Sequence, residues 1–580
     1  MNKNWGATIG LTLVFLFSLF PFVFSQQVEK GDTPAQTGQL PQIQLEDYTI
    51  IGLEKVALPR KERQSIKHPL SLFWADNAAL AVKEDYNIQF KYTDIKPIIS
   101  KTEGLHRIWA EADYGSYNTF GLDVKSQFRS SKIIPFFGLN YRQSDGHVSK
   151  ADYKKGKLEG GLEGNVWNNG ILDFQLRFRD SDQGLWSTEF PIDSTFRVKT
   201  NQFNLLGNLE QNFNPDFSGF INADISYIDH KNRFDYVQSF SSFQFGGNYG
   251  RGQTSFFFEG QFDINSSERK QVSFDYVDDP PFAKIDNSIL GGTVKARQKI
   301  NNFSIAAGTT LQSVEQKNVV KNTEIGVFPV AEIAFNHNEH VNLLLKYQPG
   351  YGFQSMQQLV EAFPIADFAG FYPTKIKNHA IAVLQLKPIE QLRLQLQSDF
   401  KNTESYPVVY SSYYDSTSGE PSTTLNYQYP YWEYRYIEDA QIWKNTVQIY
   451  WTVNEIMSLK GWISYYYSKI NTLDSMGNRV SNNNIPYLPQ LYSKLDFKWA
   501  FYKQHELRII GEHIGKRFDD VANSVKLKSY FLLNVSVKFK IIEYLALKVF
   551  GNNIFEETYQ IYNTYSAPGI TGGTALEFKF

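Results

Sequence analysis

The sequence predicts an all-β fold, a transmembrane antiparallel up-and-down β-barrel of about 22 strands, with a short N-terminal periplasmic or lumenal segment before it. Three observations predict this fold. Apolar and polar residues alternate with a period of two from about Leu105 onward, ten tight-turn candidates divide this region, and the chain stops on an aromatic strand at Phe580. The composition agrees: 35 Tyr, 46 Phe, 39 Gly and a mean hydropathy of −0.38 are too polar for helical spans, whereas barrel strands show only every second residue to lipid.

Residues 1–25 are predicted to be a signal peptide. Lys3 lies in the n-region, an apolar run extends from about Ile9 to Phe24, and Val23 and Ser25 suit cleavage before Gln26. A transmembrane anchor is the alternative, but the run is short and a polar segment follows it directly. No later stretch approaches the roughly 18 apolar residues that a membrane helix needs, so any crossing is expected to use strands.

Residues 26–104 are predicted to form a separate N-terminal segment before the barrel. Its first part has the composition of a linker, with Asp32, Pro34, Gly38 and Pro41 close together. The stretch Leu45–Arg60 is β-prone and is predicted to be extended, as a periplasmic strand or a simple extended segment.

The barrel region, 105–580, is predicted from the alternation within its strands. Stretches 172–179, 392–397 and 531–540 each place apolar side chains on one face and mostly polar ones on the other. A large soluble sandwich or propeller with one wet face is the alternative. Two further features favour a membrane barrel.

The first feature is the order of the connections, which we predict to alternate strictly between short turns and long loops, as in barrels with periplasmic turns and extracellular loops. Ten turns joining eleven hairpins give 22 strands. The ten turn positions are Ser130, Asn169, Asn214, Gly250, Asn301, Asn338, Ile389, Glu455, Tyr502 and Ile542.

The second feature is the length of the other connections, of which Gln348–Lys375 and Glu404–Tyr436 are predicted to be the longest. Soluble domains rarely contain so many long loops unless these bind something. Aromatic residues flank the second loop, and they suit either a girdle at the outer headgroup level or a surface on which a sugar or other ligand stacks. The candidate ligand contacts are Tyr410, Tyr413, Tyr414, Tyr431, Trp432 and Tyr434.

The last strand is predicted to close the barrel. Leu576, Phe578 and Phe580 fall on one face, whereas Ala575 and Glu577 fall on the other. A chain that ends within a strand needs a partner for its edge, and in a closed barrel the first strand supplies that partner.

The C-terminal stretch Val549–Phe580 resembles the end of the TonB-dependent outer-membrane receptors, in which Asn-Leu-Phe-Asp-x-x-Tyr precedes a Pro-Gly-Arg turn and a final aromatic strand. The matching residues are Asn553, Ile554, Phe555, Glu556, Tyr559, Pro568 and Gly569, and Ile570 stands where the family usually has Arg. The resemblance implies a barrel of 22 strands in the bacterial outer membrane, and solute binding or transport.

The same resemblance gives Leu45–Arg60 a second interpretation, as the start of a plug domain, with Asp47–Gly52 similar to a TonB box. Roughly 80 residues are too few for a family-sized plug, so the plug is expected to be reduced or absent. A barrel of about 22 strands has a lumen that its own side chains cannot fill. The lumen is therefore expected to be occluded by the N-terminal segment, by inward-folded loops, or by a plug-like partner protein.

Motifs of enzymes and cofactor sites are absent from the sequence. It contains no GxSxG, HExxH or Walker motif and no Cys, and the pairs His337/His340 and Asp278/Asp279 lack the spacing of a metal site. We therefore expect no enzymatic activity, cofactor or metal, and a net charge of −2 gives no basis for nucleic-acid binding.

Two functional hypotheses remain. The first is an outer-membrane barrel that binds or transports a solute through a pore without a full plug. The second is a non-transporting barrel, a structural or assembly component that docks a periplasmic or surface partner. The expected partners are outer-membrane lipid, the barrel-assembly machinery and a periplasmic or plug-like protein.

Overall fold

The computed structural model describes residues 106–580, apart from 129–132, 149, 168, 185–196, 233–234, 271–283, 318–320, 338–339, 354–355, 357–358, 361–362, 364–365, 369–370, 413–430, 455, 474–478, 503–504 and 564. The predicted signal peptide and the segment 26–104 lie outside the described residues. Within the described part, no helix is long and apolar enough to cross a membrane.

The described residues form 22 antiparallel strands in one sheet. They are β1 His106–Gly115, β2 Thr119–Phe128, β3 Ile133–Ser144, β4 Tyr153–Val166, β5 Gly170–Gly184, β6 Arg197–Asn214, β7 Phe217–Lys231, β8 Asp235–Arg251, β9 Thr254–Lys270, β10 Ile285–Ile300, β11 Phe303–Lys317, β12 Lys321–His337, β13 Val341–Tyr347, β14 Thr374–Ile389, β15 Leu392–Ser412, β16 Tyr431–Asn454, β17 Met457–Leu473, β18 Leu491–Phe501, β19 His505–Ile514, β20 Tyr530–Ile542, β21 Leu545–Asn552 and β22 Thr571–Lys579.

Shorter strands belong to the connections. Gly350–Gly352 pairs with β14, Asp367–Phe368 lies parallel to β16, and Arg479–Asn483 pairs with β17. Two small hairpins complete the set: Arg517–Phe518 with Lys526–Leu527, and Gln560–Tyr562 with Tyr565–Ser566.

The sheet closes on itself, because β22 pairs with both β21 and β1. The Ile108 N–H donates to the Phe580 carbonyl at 3.0 Å, and the Phe580 N–H donates to the Ile108 carbonyl at 2.9 Å. Leu576 and Phe580 point outward, whereas Ala575 and Glu577 are buried on the inner side. The predicted all-β barrel is thus confirmed, and its terminal strand is the closing strand.

Each of the ten predicted turns lies within two residues of a short connection between consecutive strands. These connections share one rim, which we assign to the periplasm because barrels of this kind have short periplasmic turns. Large aromatic side chains are exposed around this rim, where they form a girdle. Its members include Trp167, Phe213, Tyr249, Phe256, Phe303, Tyr502, Tyr544 and Phe580.

The predicted strict alternation of short and long connections is wrong at three places on the outer rim. Residues 116–118, 232–234 and 318–320 connect their strands in only three residues each. The strands there continue to pair up to the turn. Phe217–Lys231 and Asp235–Arg251, for example, stay in register over the whole length of β7, so little chain is left for a loop.

The predicted loop Glu404–Tyr436 is also too long. The ladder between β15 and β16 continues to the pair Ser412 and Tyr431, so the connection is reduced to 413–430. The residues on both sides are Tyr, Val and Trp, which have high strand propensity, and the pairing therefore extends beyond the roughly 9–11 residues needed to cross the membrane.

The two faces of the wall differ as expected for a membrane barrel. Exposed outward side chains are largely apolar, for example Leu176 and Phe178 of β5. The inner face instead carries charged residues that pair across one intervening strand, which suits a polar lumen. Examples are Arg142–Asp113 at 3.0 Å, Lys548–Glu111 at 3.1 Å and Arg297–Glu332 at 2.9 Å.

Candidate functional site

The outer connections pack together into a buried apolar cluster, which we call the loop cap. It draws residues from the ends of β7, β8, β15 and β16 and from the connections 348–373, 474–490, 515–529 and 553–570. Its members are Ile228, Tyr236, Met356, Leu359, Val360, Phe363, Ala366, Phe371, Val409, Trp432, Tyr434, Tyr487, Leu527, Ile561, Tyr562, Tyr565 and Ala567.

The loop cap crosses the outer mouth of the barrel. Tyr236 belongs to β8 and Leu527 to the connection after β19, and eleven positions in a ring of 22 strands separate β8 from β19. These two strands therefore lie on opposite sides of the wall. Because one continuous cluster includes residues from both sides, the connections span the lumen instead of standing around it.

Five aromatic residues from four different segments meet at the centre of the loop cap. The Trp432 indole Nε1–H donates to the Tyr487 hydroxyl at 2.6 Å. Phe363 lies 5.4 Å from the Tyr487 ring and 5.7 Å from the Tyr562 ring, measured between centroids. Trp432 contacts the Tyr565 ring edge-on at 5.1 Å. These separations are typical of favourable aromatic pairs, and the only strongly polar atom of the indole is satisfied.

A second aromatic group joins β16 to the connection 348–373. The Tyr372 N–H donates to the Tyr436 hydroxyl at 2.7 Å, and this hydroxyl donates to the Tyr372 carbonyl at 3.1 Å. Phe371 packs on the Tyr434 ring with a centroid separation of 5.4 Å. The long β16 strand thus supplies a rigid support for the loop.

Side-chain amides on the opposite wall hold the same connection in place. The Met356 N–H donates to Gln238 Oε1 at 2.8 Å, and Asn287 Nδ2 donates to the Phe371 carbonyl at 2.6 Å. Asn232 Nδ2 donates to the Ala366 carbonyl at 2.9 Å. A side-chain amide can accept from a backbone N–H and donate to a backbone carbonyl. These amides therefore satisfy the backbone of the irregular segment 348–373, which explains why it can lie across a wall of strands.

One buried cation supports the loop cap from below. Arg517 is fully buried, its Nη2 donates to the Gln560 carbonyl at 2.8 Å, and its guanidinium lies 5.3 Å from the Tyr530 ring centroid. Burial lowers the pKa of Arg517. Burial also raises the pKa of Tyr562 and of Tyr565, so both phenols stay neutral within the apolar cluster.

One contact at the edge of the loop cap contains a titratable histidine. A ring nitrogen of His147, Nε2, lies 3.0 Å from the Ser566 carbonyl and joins the connection 145–152 to the connection 553–570. Burial lowers the pKa of His147, and the hydrogen bond to Ser566 partly offsets this effect.

The structure divides the six candidate ligand contacts. Tyr410, Trp432 and Tyr434 are buried in the strands that flank the connection 413–430, with Trp432 only 4% exposed. Tyr413 and Tyr414 lie outside the described residues, and for Tyr431 the structure describes only its backbone pairing with Ser412. Trp432 and Tyr434 belong to the loop cap, so a ligand reaches them only after the loop cap moves, whereas Tyr410 lies in a second buried cluster.

Several residues of the loop cap were not singled out by sequence reasoning, among them Phe363, Tyr487 and Tyr562. Large apolar residues inside long, otherwise polar connections were the available signal. A solvated loop has no need of them, so their presence indicates that the connections fold onto something.

Solved structures with the same fold include the iron transporter FrpB from Neisseria meningitidis, in its F5-1 variant, with a TM-score of 0.62 and 9% identity over 82% of this chain and 83% of that chain. The siderophore receptor PiuA from Acinetobacter baumannii has a TM-score of 0.59 and 11% identity, covering 82% of each chain. The ferric-catecholate import receptor Fiu from E. coli K12 has a TM-score of 0.58 and 10% identity over 82% of this chain and 81% of that one. No family model and no curated protein matches the sequence.

The chain thus has the 22-stranded barrel fold of the TonB-dependent receptors, as the resemblance of its C-terminal stretch predicts. A closed barrel with this fold, an apolar outer face and a periplasmic aromatic girdle lies in the bacterial outer membrane.

Proposed function

We propose that the protein is an outer-membrane barrel that binds a solute at its outer face and passes it through the lumen, with the loop cap as the gate of the outer mouth. The observation that supports this most directly is the continuous apolar cluster that joins opposite sides of the barrel. The inner wall below it carries paired charges, which tolerate water and a hydrophilic solute.

Opening of the gate requires separation of Trp432 from the connections 474–490 and 553–570, because its indole joins Tyr487 and Tyr565. Solute binding on the aromatic faces that this exposes would stabilise the open state, since a ligand shifts an equilibrium toward the state it binds more tightly. The structural neighbours named as iron, siderophore and ferric-catecholate transporters make metal chelates the first solute class to test.

For the N-terminal region we propose a signal peptide, 1–25, and a linker with a plug-like remnant, 26–104. This is supported by the position of the start of β1, which lies at the short-turn rim, where His106 pairs with Phe128. A periplasmic partner that contacts this segment fits the same arrangement.

The test is single-channel conductance of the purified protein in planar bilayers. Full-length protein is expected to be nearly silent, and the double variant Phe363→Ala/Trp432→Ala is expected to show large openings because it removes two central rings of the loop cap. Trp443→Ala is the matched control, since Trp443 is a lipid-facing residue of the same strand as Trp432.

Deletion of residues 26–102 distinguishes the loop cap from the N-terminal segment as the seal. We expect the deletion to leave conductance low. A sharp rise on deletion, with no effect of the double variant, would show that the segment and not the loop cap closes the pore. Silence of every variant would instead favour the second hypothesis, a non-transporting barrel that docks a partner.

A further inference from the structure

The wall of the barrel is incomplete on its outer half between β12 and β13. The ladder between them ends at the pair Ala331 and Tyr347, although β12 continues to pair with β11 as far as Lys321. The Asn336 N–H donates to the Asn302 carbonyl beside β11. The backbone N–H and C=O groups of even-numbered β12 residues therefore point toward β11, and those of odd-numbered residues point toward β13. From Thr323 to Pro329 this edge of β12, which we call the seam, has no hydrogen-bonded partner strand among the described residues.

Two prolines account for the seam. If the register continued for two more residues, Pro329 would lie opposite Pro349. At this position the two residues of a pair normally exchange N–H···O=C bonds. Neither proline has an N–H to donate. The seam is therefore encoded in the sequence.

After Pro349 the chain separates from β12 and shifts toward the lumen, while Gly350–Gly352 keeps its pairing with β14. The Tyr351 N–H donates to Gln312 Oε1 at 2.8 Å, and Gln312 faces the lumen from β11. The Tyr351 ring packs edge-on against Phe328 at 5.4 Å, and a Cβ at Gly326 would lie 3.0 Å from it. Tyr351 thus closes the seam from within, and its outer side stays open.

On that outer side, Ile325 and Val327 are each 69% exposed, more than the lipid-facing Leu290 and Val294 of β10, because no neighbouring strand covers them. One ion pair crosses the seam on the lumenal side, from Lys375 Nζ to Glu324 Oε1 at 2.5 Å. The outer side therefore presents apolar side chains beside the backbone groups of this edge.

An apolar groove of about 650 Å³ lies on the outer surface directly beneath the seam, where Ala331 and Tyr347 form its upper lining. Small side chains of β12, β14 and β15 form the floor and large ones of β13, β15 and β16 the sides. The floor is Ala331, Ala380, Ala382 and Ser398, and the sides include Leu345, Phe400 and Trp443. Trp443 Nε1–H donates to the Ser398 hydroxyl at 2.8 Å, so even this polar group is satisfied.

We propose that the groove and the seam together bind one amphiphile of the outer leaflet, with a hydrocarbon chain in the groove and an oxygen-rich head at the seam. Lipid chains are the apolar material that surrounds this face. At the seam, the N–H groups of Ile325 and Val327 supply donors that phosphoryl or hydroxyl oxygens can satisfy.

The height of the seam above the periplasmic rim matches the level at which a lipid head group lies. Val327 is ten residues from the end of β12 at His337 on the short-turn rim. At about 3.3 Å per residue and a tilt of about 40°, it lies about 25 Å above the rim, which is the height of the apolar band. A second copy of the barrel fits poorly, because two tilted strands related by an axis along the membrane normal cross each other and cannot extend a ladder.

The test uses protein reconstituted in phosphatidylethanolamine vesicles that contain a phosphatidylethanolamine with a diazirine at its chain end. After irradiation, mass spectrometry should find adducts on the groove residues at about five-fold or more above those on Leu290 and Val294. Ala380→Phe/Ala382→Phe fills the groove and should abolish this excess. Ala307→Phe, an exposed outward alanine of β11, is the matched control and should leave it unchanged.

Amide hydrogen exchange tests the head position in the same samples. Exchange at Ile325 and Val327 should be slower in the parent protein than in the groove-filled variant, and heat-modifiable migration shows which variants are folded. If the double variant does not fold, Ala382→Leu replaces it. Equal labelling around the barrel would show that the groove is in contact only with the surrounding lipid. Equal exchange at Ile325 and Val327 in both proteins would show that no head group binds at the seam. Either result overturns the proposal.

Discussion

At the scale of single residues, the loop cap depends on side chains that are both aromatic and hydrogen-bonded. Trp432 and Tyr487 are buried at its centre, and each satisfies its polar atom with a partner in another segment, the Tyr487 hydroxyl donating in turn to Asp519. Such residues couple apolar burial to a defined geometry. Their removal is therefore expected to loosen several connections together.

Trp432→Ala should destabilise the loop cap by about 3–5 kcal/mol, the usual cost of truncating a buried aromatic residue. Trp432→Phe keeps most of the ring packing but leaves the Tyr487 hydroxyl without its donor, at a cost of about 1–3 kcal/mol. The rates of amide exchange and of protease cleavage within 553–566 measure the effect. Both rates are expected to be highest in Trp432→Ala, lower in Trp432→Phe and lowest in the parent protein. The lipid-facing Trp443→Ala should leave both rates unchanged.

His147 should make one edge of the loop cap sensitive to acid. Its pKa is lowered by burial, so the open state takes up a proton first as the pH falls below the ordinary value of 6.5. The contact with Ser566 is thus fully present above this value and weakens as the pH falls toward the lowered pKa. Exchange of amides in 145–152, corrected for the intrinsic pH dependence of amide exchange, should rise as the pH falls from 7.5 to 5.5.

His147→Gln is the control for this effect, because glutamine can still donate to the Ser566 carbonyl and does not titrate in this range. An equal rise of exchange in this variant would show that another group causes the pH dependence.

At the scale of elements, the terminal strands decide whether the sheet has an edge. β22 pairs with β21 on one side and with β1 on the other, so its seven cross-strand pairs with β1, from Trp109–Lys579 to Gly115–Gly573, replace two free edges. In a membrane, unpaired backbone groups cost several kcal/mol each. Closure is therefore worth far more than any single side-chain contact.

Deletion of residues 574–580 should abolish insertion into the outer membrane while export to the periplasm continues. The reason is that β1 and β21 would both lose the partner that closes the ring. Fractionation followed by electrophoresis without heating measures the outcome. Lys579→Ala, which changes an exposed residue of β22 and leaves its backbone intact, should insert normally, and normal insertion of the deletion would contradict this account.

The ladder between β15 and β16 shows how an element can carry a site. These strands are 21 and 24 residues long, and they rise beyond the membrane as a hairpin. Val409, Trp432 and Tyr434 near its tip belong to the loop cap. A strand pair fixes the spacing of these residues more tightly than a free loop could.

At the scale of the whole molecule, the barrel separates two environments. Its outer face is apolar with aromatic residues at the periplasmic rim, its inner face holds paired charges, and the loop cap covers the outer end. Because each strand except β12 has two neighbours over most of its length, partial unfolding breaks the ring, and the barrel is expected to unfold in one cooperative and slow step.

The purified protein should therefore run as a heat-modifiable band on electrophoresis. Folded barrels resist detergent until heated, so the unheated sample should migrate differently from the boiled one. The loop-cap variants should keep this behaviour, since they leave the ladder intact, whereas the deletion of 574–580 should not show it. Identical migration of heated and unheated parent protein would be inconsistent with a closed barrel.

The sequence by itself determined the features that depend on neighbouring residues. The period of two places Leu176 and Phe178 outward, local turn residues such as Asn214 and Asn301 mark where strands reverse, and the aromatic residues before Phe580 identify the closing strand. The pair Pro329 and Pro349 also acts locally, although its effect depends on register, which only the folded ladder shows.

Only the tertiary structure decided which loops fold inward and which aromatic residues meet. Phe363, Trp432, Tyr487 and Tyr562 are far apart in the sequence, and no local pattern relates them. Closure of the ring brings the connections of opposite strands above one lumen, and the apolar residues they contain can then be buried only against each other. For this reason the same aromatic stretch around Trp432 suited either an exposed girdle or a ligand surface from the sequence, and lies in a buried cluster in the fold.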